Sequence, residues 1–311
     1  MKKCVVIYNP NSGKFSKEKM LPKFREMLTN YNYVTEIFQT EYKGHTTDIV
    51  ENLHDDIDLV ISIGGDGNFN ESMTGNFKRK KRLVLAHIPV GTTNDIGTMF
   101  GYGKSMLNNL KLTLEGEIQN IDICLINNRP FIYSAGFGKF MNIPYDTPRE
   151  LKKRIGYLAY LTEGAKTLKG KTKLYDITYE MDGITSRGLY SFFIITSANR
   201  IAGINNFYKD VKLDDNKFEV LMCSITEPID IVKCLYYLTV HDATRVPGIS
   251  FYKTDKLKIK FNNQLDKAWC IDGEELESIP DEYTITIENN VKIMMPVKNV
   301  SKLFINKNTT N

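Results

Sequence analysis

Asp66 stands inside the loop Gly64-Gly65-Asp66-Gly67-Asn68, and that setting is the first sign of chemistry in the chain. Glycines keep side chains away from the main chain, so backbone N–H groups can approach a polyanion directly, and the positive end of a following helix favours the same charge. A carboxylate in such a loop repels bare phosphate, so its presence suggests a nucleotide bridged by a metal ion. The same residues also read as a tight strand-to-helix turn and nothing more, because one glycine-rich turn is weak evidence. A second loop, Pro89-Val90-Gly91-Thr92-Thr93-Asn94-Asp95, is again polar, contains glycine and precedes a helical stretch. A third, Asn9-Pro10-Asn11-Ser12-Gly13, has the same character.

Each loop follows an apolar run of strand length: Cys4-Val5-Val6-Ile7-Tyr8, Asp58-Leu59-Val60-Ile61-Ser62-Ile63 and Leu83-Val84-Leu85-Ala86-His87-Ile88. Helical spacing is read over 17–29, 45–53 and about 68–78. If the runs are parallel strands joined by these helices, all three loops leave one carboxyl edge, where open α/β sheets bind ligands. Beyond about residue 120 the pattern turns strand-rich, with Asn127-Asn128 as a hairpin turn between 121–126 and 130–133. Further strands are expected over 174–181, 189–196, 218–225, 256–261 and 283–287, and one helix over 149–167. The expected fold is a doubly wound α/β amino-terminal domain followed by a mainly β, sandwich-like second domain.

Composition narrows the function classes. A chain of 311 residues has length for about two domains and a sizeable core. Five scattered cysteines without a Cys-x-x-Cys pair argue for a reducing compartment and against a disulfide framework. His45, His54, His87 and His241 show no zinc spacing and read as core or surface histidines. No run approaches the roughly 18 apolar residues of a membrane span, and no signal-peptide pattern is seen. No Gly-x-x-x-x-Gly-Lys-Ser/Thr loop is present, and no His-Arg-Asp with a downstream Asp-Phe-Gly, which disfavours P-loop and protein-kinase chemistry. Nucleic-acid binding is not supported, since the basic runs are not interleaved with aromatic residues in a recognisable module.

The three loops in this order resemble the diacylglycerol kinase catalytic-domain family, soluble lipid kinases related to sphingosine and ceramide kinases. The likeness continues through Gly136-Phe137-Gly138, Leu213-Asp214-Asp215-Asn216 and Asp272-Gly273-Glu274, so it spans nearly the whole chain. It implies a phosphofructokinase-like nucleotide domain over 1–126, with the tail 291–311 returning to it, and a lipid-binding domain over 127–290. The activity implied is transfer of the γ-phosphate of ATP to a membrane lipid hydroxyl, most simply diacylglycerol to phosphatidic acid. Asn9, Pro10, Asn11, Ser12, Gly13, Thr40, Gly64, Gly65, Asp66, Gly67, Asn68, Glu71, Thr92 and Asn94 become nucleotide contacts. Asp66 and Asp95 are candidates to hold catalytic Mg²⁺, because hard divalent cations prefer carboxylate oxygen. From position alone, Asp95 reads equally as the N-cap of the next helix. Glu274 becomes the base for the lipid hydroxyl, with Asp272 shaping the turn.

A structural Mg²⁺ is implied at Asp215 with the carbonyls of Lys212 and Lys217, against a plain surface turn as the alternative. Three positions depart from the family pattern: Asn68 replaces Thr, Asn216 replaces Gly, and Ile96-Gly97 stands where Phe-Ala is common. Asn tolerates a left-handed backbone, so the turn at Asn216 is expected to survive. The resemblance further implies a cytoplasmic protein, peripheral at the inner face of an anionic membrane, with a homodimer among its assembly options. Lys78-Arg79-Lys80-Lys81-Arg82, and a looser cluster of Lys152, Lys153, Arg154, Lys166, Lys169, Lys171 and Lys173, are the basic patches for that surface, or else solvated helix ends. Competing readings are a nicotinamide dinucleotide kinase, which shares the Gly-Gly-Asp-Gly loop, and a catalytically silent lipid- or nucleotide-binding protein.

Overall fold

Unbroken runs of buried apolar residues build the first sheet, the pattern of strands covered on both faces. β1 (Lys2–Tyr8), β2 (Tyr33–Gln39), β3 (Leu59–Gly64) and β4 (Leu85–Pro89) lie in the order β2-β1-β3-β4, and every neighbouring pair is parallel. The helices between them are α1 (Lys17–Asn30), α2 (His45–Glu51) and α3 (Asp66–Lys78), with α4 (Asp95–Met99) and α5 (Met106–Leu114) after β4. The strand ends Tyr8, Gly64 and Pro89 therefore share one edge, as the spacing predicts. β2 has no counterpart in the sequence reading, because this edge strand alternates exposed and buried residues and carries Thr35 and Glu36.

The computed structural model describes residues 1–12, 17–91, 94–138, 172–198, 200–201, 204–205, 208, 210–227, 230, 248–263, 265, 268–276 and 280–305. Two units divide the chain. Met1–Ile121 and the chain from Asn289 onward form the first, and Asp122–Glu288 the second. The expected helix over 149–167, the lysines and arginine from Lys152 to Lys171, Gly13, Thr92 and residues 306–311 of the tail lie outside the described residues.

In the second unit the strands are antiparallel. β5 (Glu117–Ile126) turns into β6 (Arg129–Phe131) through Asn127 and Asn128, at φ 46° and 68°, the two left-handed residues that a tight hairpin requires. β7 (Ser134–Gly138), β8 (Tyr175–Met181), β9 (Ile184–Tyr190) and β10 (Phe192–Thr196) follow, then the short pair β11 (Arg200–Ile201) and β12 (Ile204–Asn205). After them come β13 (Phe218–Cys223), β14 (Ile249–Thr254), β15 (Leu257–Phe261), β16 (Cys270–Ile271), β17 (Glu274–Glu275) and β18 (Glu282–Met295). One sheet runs β14-β13-β10-β7-β16-β17, and in the other β15 pairs with β18 and β8, which pairs with β9. Phe137, Phe193, Phe218, Phe261, Trp269 and Tyr283 from the two sheets share one core, with ring centroids 4.7 Å apart at Phe137–Phe261 and 5.0 Å at Phe137–Trp269.

Two strand expectations change. The single strand over 189–196 is two strands in different sheets, because Ser191 steps the chain across, its N–H and hydroxyl both donating to the Cys223 carbonyl. The strand over 283–287 extends to Met295, and its end pairs parallel with β4 at Ile293 and Leu85 within the first unit. The closing residues form a 3-10 turn (Val297–Asn299) and α6 (Val300–Leu303).

The run from Lys78 to Arg82 is not a free cationic patch. The side chain of Arg79 is 4% exposed and donates to the carbonyls of Val50, Glu51 and Leu53 and to Asp55. It caps the carboxyl end of α2, whose last carbonyls have no partner within the helix. Lys78 pairs with Glu51, Lys81 donates to the Asp55 carbonyl, and Arg82 lies 4.3 Å from the Phe77 ring centroid.

Candidate functional site

The glycine loops after β3 and β4 meet back to back. A Cβ on Gly91 would stand 2.7 Å from the Gly65 Cα, so this approach needs glycine. The Val90 N–H donates to the Gly64 carbonyl at 2.8 Å, which ties the loops a second time. Asp66 closes the join. Its Oδ2 accepts from the Asp95 N–H at 2.9 Å and its Oδ1 from the Ile96 N–H at 3.2 Å, so a carboxylate at the start of α3 caps the start of α4. A negative charge there also favours the helix dipole.

This arrangement corrects the alternative reading of Asp95. The N-cap position belongs to Asn94, left-handed at φ 51°, whose amide donates to the Gly91 carbonyl instead of capping. Asp95 is the first helical residue and 2% exposed. Gly97 also gains a reason, since a Cβ there would lie 2.5 Å from the Pro89 Cβ. The Ala common in related sequences has no room at this position.

Asn68 turns inward. It is buried, accepts from the Thr46 hydroxyl at 2.8 Å and donates to the Ser62 hydroxyl at 2.7 Å, so both ends of its amide are held by the protein. The departure from Thr at this position therefore builds a buried bridge from α2 to β3. Glu71 accepts from the Gly44 N–H at 2.9 Å and steadies the left-handed entry to α2, just after buried Thr40. In the first loop, Asn9 accepts from the Asn11 N–H while its own N–H reaches the Ile63 carbonyl, so Asn9, Pro10, Asn11 and Ser12 turn beside the end of β3. A separate open cavity of about 450 Å³ is lined by Tyr8, Leu21, Pro22, Arg25, Ile37 and Gln39, and none of the loop residues Asn9 to Ser12 lines it.

His87, one of the histidines expected in the core or at the surface, is a core residue, and its place beside Asp66 was not foreseen. It is fully buried, opposite Ser62 on the neighbouring strand, stacked on Phe69 at 4.8 Å, and its Nε2 lies 3.9 Å from Asp66 Oδ1. Burial pushes it down to about 3, against a smaller raising effect of the Ser62 backbone, so the imidazole is neutral. A polar side chain inside the apolar run from Leu83 to Ile88 was the signal that could have found it.

In the second unit, Asp272 and Gly273, at φ 48° and 82°, form the turn between β16 and β17. The Asp272 carboxylate accepts from the N–H groups of Ile132, Tyr133 and Ser134 at 2.7, 3.0 and 3.0 Å. Glu274 follows on β17, partly exposed and opposite Ile271. The loop around Asp215 keeps its left-handed Asn216, at φ 56°, whose N–H donates to Asp122. Asp215 Oδ1 accepts from the Lys217 N–H and its Oδ2 carries the Lys253 ammonium at 2.5 Å, which also pairs with buried Glu219 at 3.3 Å. Asp215 is thus already neutralised, so its side chain as placed does not fit the divalent cation that the resemblance implies there. Among the described residues no group of three or more His, Cys, Asp or Glu side chains gathers as a metal site.

Residues 3–126 match the family model of the diacylglycerol kinase catalytic domain. The chain is 29% identical over 306 residues to the diacylglycerol kinases of Staphylococcus aureus strains MRSA252 and JH9, covering 98% of this chain and 96% of each relative. A diacylglycerol kinase structure from Bacillus anthracis str. Sterne superposes with a TM-score of 0.77 at 21% identity, over 95% of this chain and 98% of that one. Another structure from the same organism gives 0.79 at the same identity and coverage.

Proposed function

We propose that this chain, a lipid kinase carrying a diacylglycerol kinase catalytic domain over residues 3–126, moves the γ-phosphate of ATP onto the hydroxyl of diacylglycerol to give phosphatidic acid. The observation that carries this reading is the pair of glycine loops locked together by Asp66 at one sheet edge. Phosphoryl transfer asks for held phosphates, neutralised charge and an oriented hydroxyl, with little covalent work by the protein. The backbone from Gly64 to Gly67, opening into α3 without a side-chain cap, supports the first of these roles. Asn9 to Gly13, Thr40, Glu71, Thr92 and Asn94 would orient the nucleotide, and Asn68 serves by holding the loop from beneath.

Asp66 and Asp95, two carboxylates at adjoining loop ends, would hold Mg²⁺ by the chemistry of the donor set, since hard divalent cations prefer carboxylate oxygen. Bound there, it would supply positive charge against the negative charge of the transferred phosphate. Glu274 accepts the proton of the lipid hydroxyl as that oxygen bonds to the γ-phosphorus and the bond to the β–γ bridging oxygen breaks, releasing ADP. No helix among the described residues is long and apolar enough to cross a membrane, in keeping with a lipid reached from the surface of an anionic bilayer.

The test is transfer of label from γ-labelled ATP to diacylglycerol, another glycerolipid, a long-chain base and a nicotinamide dinucleotide, in mixed micelles with Mg²⁺. Label in diacylglycerol is expected. Label in the dinucleotide alone overturns the reading, and label in none points to a silent binder.

A further inference from the structure

His87 is costly where it stands. An imidazole offers one donor and one acceptor, yet neither ring nitrogen makes a hydrogen bond of ordinary length and angle, the Ser62 backbone exerting only a weaker pull, and the ring is sealed from solvent. A buried polar group left in this state carries the full cost of its desolvation, which an apolar side chain on β4 would avoid. What the imidazole faces is Asp66, 3.9 Å from Nε2. Closing that distance to an ordinary bond needs a movement of about 1 Å.

We propose that His87 is a positioning residue for Asp66, its Nε2–H being the donor that steadies Oδ1 from beneath the glycine loop. The surroundings hold the ring in place to do so. Phe69 of α3 stacks on it, and Ser62 beside it is tied through Asn68 to Thr46 of α2, so the loop rests on a braced polar floor. The opposite tautomer would aim a lone pair at a carboxylate. Asp66 accepts from the first N–H groups of α4, at Oδ2 and at Oδ1, and a donor on the His87 side would shorten the play of the longer bond, that of Oδ1 to Ile96. The inference rests on the reading of Asp66 as the carboxylate that serves the metal-bound nucleotide.

Two measurements test it. Long-range ¹H–¹⁵N spectra of the whole protein without nucleotide, with His87 assigned by its loss in His87→Gln, should show the Nε2–H tautomer; an Nδ1–H tautomer overturns the proposal. In the lipid-phosphorylation assay His87→Leu should lower kcat about 10- to 100-fold, the usual loss when a group that orients a metal carboxylate is removed. His87→Gln, which offers an amide N–H in place of Nε2–H, should recover most of it, with both melting temperatures near wild type. Wild-type kcat in His87→Leu, or equal losses in both variants, overturns the proposal. Should His87→Leu fail to melt cooperatively, the tautomer decides alone. Asp66→Asn separates the two readings: if it keeps wild-type turnover the role of Asp66 itself fails, whereas failure at His87 alone leaves that role standing.

Discussion

Asp66 and Asp272 do the same structural job in different units and differ in what is left over. Each reaches from a glycine-containing turn to backbone N–H groups of a distant segment, two for Asp66 and three for Asp272. Asp272 is used up by this anchoring, being 5% exposed, left-handed, and seated on the short hairpin that carries Glu274. Asp66 keeps an open side at 11% side-chain exposure, above glycines and beside the start of a thirteen-residue helix. The anchor of the second unit is the more enclosed of the two, and the anchor of the first is the one that solvent reaches.

Asparagine tells the two apart, since its single amide oxygen still accepts from part of the N–H set but carries no charge. Asp66→Asn should keep the melting temperature within a few degrees and lose at least two orders of magnitude in turnover. Wild-type turnover in that variant would make Asp66 an anchor like Asp272. Glu274→Gln should lower turnover about 10²- to 10⁴-fold with nucleotide affinity kept, in the range of a positioned base, and Glu275→Gln should change little. Equal losses in the two would reduce the turn to an acidic surface.

The anchor itself is tested next. Asp272→Ala should cost about 3 kcal/mol or more in unfolding free energy, because two buried N–H groups and a part-buried third lose their acceptor, while Asp272→Asn should restore part of it. A pair of variants equally stable to urea would mean the carboxylate holds nothing.

Smaller effects are expected around Lys253. Burial pushes Glu219 up to about 7, Lys253 pulling against it. A carboxyl with a raised folded value binds its proton more tightly folded than unfolded, so its contribution favours the folded state below pH 4.5 and falls away as pH rises from there to about 7. Glu219→Gln should flatten that decline in a melting curve run from pH 4 to 8; an unchanged slope would assign the decline elsewhere. Without nucleotide, Mg²⁺ should leave the wild-type melting temperature unchanged and raise it once Lys253→Met vacates Asp215, whereas a rise in wild type that Asp215→Ala abolishes would return the divalent cation to this loop.

The loops of the candidate site were legible because glycine, proline and asparagine mark backbone geometry locally, and because strands buried on both faces leave plain apolar runs. β2 escaped because an edge strand alternates, and the break at Ser191 escaped because only its two bonds to Cys223 reveal it. Asn127-Asn128 and Asn216 were read correctly from a property internal to the residue, the tolerance of Asn for left-handed backbone. Asn68 was placed on the nucleotide because nothing local shows that Thr46 and Ser62, from two other elements, close on its amide. The same holds for Lys253, brought to Asp215 by the pairing of β13 with β14.

Lys78 to Arg82 offers five consecutive trypsin sites on paper, more than any other stretch of the sequence. A protease must draw several residues into extended form, and here that means pulling the Arg79 guanidinium off the carbonyls of Val50 and Glu51 in α2 and of Leu53 just beyond it, and letting that helix end fray. The densest cluster of cleavage signals in the chain should therefore be among the slower to be cut in the native protein. Its first appearance in a limited digest would report the loosening of α2.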